Sequence, residues 1–110
     1  MIRPQNDFSC LISAQVNSLT YDQLRFLFDI YLEVNVQFDF FMSEKAHTDF
    51  MTFFHQTPSK HRYSTFQSLM NLLATAYTDR SRYPYVLQTI DMIKKDLSLK
   101  EIINVLYRYR

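Results

Sequence analysis

The sequence predicts a small all-α domain, and three observations carry that expectation. Apolar residues recur three and four positions apart along most of the chain, the spacing that lines one face of a helix. Thr20-Tyr21-Asp22-Gln23 and Ser98-Leu99-Lys100-Glu101 both have the capping-box pattern that starts a helix. Glycine is absent from all 110 residues, where average usage of about 7% would supply roughly eight. Its absence removes the usual residue for tight hairpin turns with positive φ, which counts against a hairpin-rich β fold. A chain of this length is expected to build one core. The predicted architecture is therefore a single domain over residues 1–110, of five to six short helices, orthogonal or bundle-like.

After an irregular start, Phe8, Leu11, Ile12 and Val16 fall on one face and predict a first helix over residues 7–17, capped by Asn6 or Asp7. The Thr20 box opens a second helix. Its polar stripe (Asp22, Arg25, Asp29, Glu33) is narrow and the rest is apolar, as in a central buried helix, with Arg25 and Asp29 spaced to pair. From Val34 to Phe40 apolar and polar residues alternate, the period of a half-buried strand. One reading pairs residues 34–40 with the Tyr/Arg alternation of residues 106–110, giving an α+β fold; the other makes residues 34–41 a helix end and crossing. Ser43 caps a third helix bearing Ala46, Phe50, Phe53 and Phe54. Thr57 and Pro58 open a fourth with Tyr63, Phe66, Met70, Leu73 and Tyr77 as its seam. Tyr83-Pro84 starts a fifth with Val86, Leu87, Ile90 and Ile93, and the Ser98 box a sixth with Ile102, Ile103, Leu106 and Tyr109. Without glycine, helix ends fall to Asn17, Asn35 and short polar turns.

The net charge of +1 hides an uneven distribution: residues 1–56 carry three bases and seven acids, residues 57–110 nine bases and four acids. Opposite charge on the two halves suits head-to-tail association or a basic face for an acidic partner. Nine of ten Phe lie at or before Phe54 and six of eight Tyr at or after Tyr63, so the first half is expected to supply core and the second a contact surface. Cys10 has no internal partner and no signal-type leader opens the sequence, which points to a cytoplasmic home. No apolar run approaches the roughly 20 residues of a membrane span.

The lack of glycine excludes phosphate-cradling loops and the dinucleotide fingerprint. Glu44 and His47 have the Glu-x-x-His spacing, but a carboxylate-bridged metal bundle needs a second such motif, and only Glu33 and Glu101 remain. His47, His55 and His61 are therefore read as solvated or capping residues, and no metal or cofactor is expected. Cys10, beside Leu11 and Ile12, is read as a small buried hydrophobe rather than a nucleophile. No catalytic residue is assigned.

The most distinctive pattern is Arg80-Ser81-Arg82-Tyr83-Pro84-Tyr85 together with Tyr107-Arg108-Tyr109-Arg110, both interleaving guanidinium with phenol. Arg and Tyr are enriched at the energetic centres of protein interfaces. They also suit phosphate contact and base stacking. The plainest alternative leaves the arginines solvated and gives Tyr107 or Tyr109 to the core. A helix-turn-helix over the last two helices would offer Lys94, Lys95, Lys100 and Asn104, yet its turn lacks glycine and Glu101 would repel phosphate. The reading that follows is a non-enzymatic, protein-binding factor of adaptor, inhibitor, immunity or chaperone type. It would meet another protein or its own copy through Arg80, Arg82, Tyr83, Tyr85, Arg108, Tyr109 and Arg110. The alternative is a small DNA- or RNA-binding regulator using the basic half.

Overall fold

The computed structural model of the protein describes residues 7–57 and 62–109. Six α-helices form among them: α1 (Asp7–Asn17), α2 (Tyr21–Phe38), α3 (Glu44–Gln56), α4 (Arg62–Leu72), α5 (Tyr83–Lys94) and α6 (Leu99–Tyr107). A π-helical turn (Leu73–Tyr77) extends α4, and a 3₁₀ turn (Arg80–Arg82) leads into α5. The small all-α domain expected from the sequence is what forms.

The helix starts follow the local chemistry. Thr20 Oγ1 accepts from Gln23 N at 3.2 Å while Gln23 Oε1 accepts from Thr20 N at 2.9 Å. Ser98 and Glu101 repeat this reciprocal pair, and Ser43 Oγ accepts from Ala46 N. At the second start Glu101 is held below the usual carboxylate range by its hydrogen bonds from Ser98. Thr57, expected to open α4, instead closes α3, its hydroxyl donating to Phe53 O at 2.9 Å. Pro58, assigned to the first position of that helix, lies outside the described residues.

The strand alternative is overturned. Residues 34–38 continue α2, 106 and 107 belong to α6, and no strand occurs among the described residues. Val34 and Phe38 lie one helical turn apart, following Ile30 and Tyr31 on the buried side, and the apparent alternation comes from Val36, which is 76% exposed. Helix α2 ends at Asp39, whose φ of 49° places it in the left-handed region. Asp96, φ 67°, does the same beyond α5. Asparagine was expected at such ends; aspartate, which also tolerates this conformation, takes them. Asn35 is buried inside α2 and reaches forward instead. Its Nδ2 donates to Met42 O at 2.7 Å and its Oδ1 accepts from Phe41 N at 3.0 Å, fastening the crossing to the helix it leaves.

Around α2 the core is closed by α4, α5 and α6, while α1 packs on α4 and α5 and α3 on the π turn. Tyr31, Leu24, Leu27, Ile30, Met70, Leu73 and Ile90 are fully enclosed. The π turn was not anticipated, and buried polar contacts hold it. Thr78 N and its hydroxyl both donate to Leu73 O, at 3.2 and 3.0 Å. With its one hydrogen so placed, the Thr78 hydroxyl accepts from Tyr31 at 2.9 Å. Burial pushes the Tyr31 phenol well above the usual tyrosine range.

Candidate functional site

The two Arg/Tyr segments meet. Residues 80–85 form the 3₁₀ turn and the first turn of α5, where Asp79 Oδ1 accepts from Ser81 N and Pro84 occupies an early helical position that lacks an amide partner. Tyr107 ends α6, with Arg108 as its C-cap and Tyr109 in the turn beyond. The crossing after α2 lies beneath both, since Asp79 N donates to Phe41 O at 2.8 Å and so fixes the loop onto residues 40–41.

Arg82 is the hub. Its guanidinium carbon lies 4.4 Å from the centre of the Phe40 ring and 5.7 Å from that of Tyr85, and Nη1 donates to Tyr109 O in a long 3.4 Å bond. The Tyr85 and Tyr109 rings lie 4.9 Å apart. Below them the aromatic contacts run inward without a break: Tyr85 to Phe40 at 5.5 Å, Phe40 to Phe41 at 5.0 Å, and Phe41 stacked on Tyr31 at 4.2 Å. Tyr109 is 42% exposed at the outer end and Tyr31 fully enclosed at the inner. A surface pair of phenols is thereby anchored on the core.

No family model, curated protein or solved structure matches the chain.

Of the seven residues singled out from the sequence, Arg82, Tyr85 and Tyr109 form this cluster. Arg80 and Arg108 are exposed, and the guanidinium of neither has a hydrogen-bond or ion-pair partner among the described residues, their backbones being held in the helix turns. Tyr83 turns inward: it is 5% exposed and its phenol donates to Thr75 O in the π turn at 2.6 Å. Arg110 lies outside the described residues. Tyr107 is half-buried, its ring 5.1 Å from that of Phe38 and its phenol bonded to Gln37 Oε1. Sequence reasoning missed Phe40, the ring under Arg82. Its distance in sequence from Arg82 left no local signal for the contact.

The remaining candidates lie elsewhere. Cys10 is exposed, against expectation, because the face of α1 carrying Ile12 and Val16 is the one that packs. His47 is half-buried with no partner for Nδ1 among the described residues, His55 is exposed beside Phe54, and His61 lies outside the described residues. No group of three or more His, Cys, Asp or Glu converges among the described residues, nor is any helix there long and apolar enough to cross a membrane.

Proposed function

We propose that the protein is a non-enzymatic binding factor that recognises another protein through the surface built on Arg82, Tyr85 and Tyr109, with Arg80 and Arg108 at its rim. The observation that carries this reading is the continuous aromatic path from Tyr109 to Tyr31. Large rings held by the core lose little freedom when a partner covers them, so their burial is not offset by ordering cost. Arg and Tyr are also the residues on which interface energy concentrates. Two guanidiniums without partners among the described residues favour an acidic partner surface.

A second copy of the chain is one such surface. Asp22, Asp29 and Glu33 are exposed along α2, and Arg25, the base expected to pair with Asp29, leans onto the Phe66 ring instead. The stripe is left acidic. The nucleic-acid alternative has less support, since Lys94 is held by Gln15 and Ser18 and Lys95 by Asp91.

Affinity capture from cells that make the protein, run beside sedimentation of the purified chain, tests the reading. A specific protein partner or a concentration-dependent dimer is expected, lost in Arg82→Ser/Tyr109→Ala. Binding to a duplex and single-strand panel that falls steeply between about 50 and 200 mM salt would favour the nucleic-acid alternative instead.

A further inference from the structure

A second cluster, on elements the Arg82 surface does not use, lines a cleft of about 360 Å³ between the start of α2, the end of α3 and α4. That volume is near the lower end for small-molecule sites. Phe66 and Leu69 are buried at its base, with Phe54 and Tyr21 beside them. The Tyr21 and Phe66 rings lie 5.7 Å apart, and Phe28 backs both Phe66 and Phe54 at 5.6 and 5.0 Å. The wall is therefore aromatic and firmly supported.

Two guanidiniums lie across this wall. Arg62 sits 5.1 Å from the Tyr21 ring centre and its Nε donates to the Tyr21 oxygen at 3.2 Å; Arg25 sits 5.7 Å from the centre of Phe66. Neither meets a carboxylate among the described residues. The stretch Pro58-Ser59-Lys60-His61, which joins Thr57 to Arg62, contains no acid. The hydrogen bond from Arg62, with Arg25 adding to it, holds the Tyr21 phenol below the usual tyrosine range. Negative charge on oxygen is thus already favoured where the two cations converge.

We propose that this cleft binds a small organic anion, a flat aromatic ring bearing one phosphate or carboxylate, with the ring on the Phe54–Phe66 wall and the oxyanion between Arg25 and Arg62. The guanidinium fork matches either oxyanion, and the apolar base would stay wet under an inorganic ion alone. This site stands independently of the Arg82 surface.

Amide NMR titration of the full chain at low salt, with 1-naphthyl phosphate, 2-naphthoate, adenosine monophosphate, inorganic phosphate and 2-naphthol, tests it. Ring-bearing anions should shift amides of residues 21–25, 54–57 and 62–69 saturably, at least about ten-fold more tightly than phosphate or naphthol. Which of the three binds best separates phosphate from carboxylate. Arg25→Gln and Arg62→Gln should each weaken binding about ten-fold, and Arg62→Lys less. Both arginines are exposed, so unchanged shifts elsewhere will show the variants folded. No saturable shift at millimolar ring-bearing anion, equal affinity for inorganic phosphate, or undiminished binding in the double Gln variant overturns the proposal.

Discussion

Asn35 does with one side chain what a glycine turn does elsewhere, satisfying a carbonyl and an amide of the chain that reverses after α2. Asn35→Ala leaves both backbone groups buried without a partner. It should cost about 2–4 kcal/mol, read from urea unfolding. The two perturbed tyrosines make opposite predictions about alkali. Tyr31 has a folded pKa raised above its ordinary 10.0 by burial, so its contribution is intact below that pH and is lost as pH rises further. Unfolding should therefore begin above pH 10, and Tyr31→Phe should delay it. Tyr21 has a lowered folded pKa, so it should ionise first in a spectrophotometric titration while the protein is still folded. Arg62→Gln should move that early phenol upward, because the donor that lowers it is gone.

Helix starts were legible because a cap and the amide it accepts from lie within four residues of each other, as at Thr20, Ser43 and Ser98. Ends were less so. Asn17 does end α1 as expected, its carbonyl and side chain also holding Gln67 and Asn71 of α4, but Asn35 lies inside α2 and serves the crossing. Asp39 and Asp96 carry the left-handed backbone, at a cost that only glycine avoids. Asp96→Gly should stabilise the protein by about 0.5 kcal/mol, a small rise in melting temperature, because relief of that strain outweighs the added freedom of the unfolded chain. The π turn could not be read at all. It depends on Tyr31 and Tyr83 reaching Thr78 and Thr75 from other helices, contacts no local spacing announces. Tyr83→Phe should cost about 1 kcal/mol, measured the same way, by removing one of them.

At the scale of the molecule, a Cα radius of gyration of 13.6 Å matches the roughly 13 Å of one folded domain of this length. The division of aromatics held only in part. Seven of the nine early Phe are buried or half-buried, yet Phe8 and Phe53 are exposed, and in the second half Tyr83 is buried. The Arg/Tyr segments were visible as patterns, but their meeting was not, because the residue that joins them, Phe40, sits in a stretch whose period resembled a strand. The Tyr21 cleft gave no signal, its cations lying on two helices far apart in sequence.

The most direct measurement is a paired capture, wild type beside Arg82→Ser/Tyr109→Ala, with circular dichroism confirming that both are folded. Removing an interface centre of this kind should weaken partner binding by at least about 2 kcal/mol. The wild type should retain a specific protein, or its own copy, that the variant loses. Equal retention by both proteins, or a wild type that captures nothing and sediments as a monomer at every concentration, contradicts a binding role for this surface.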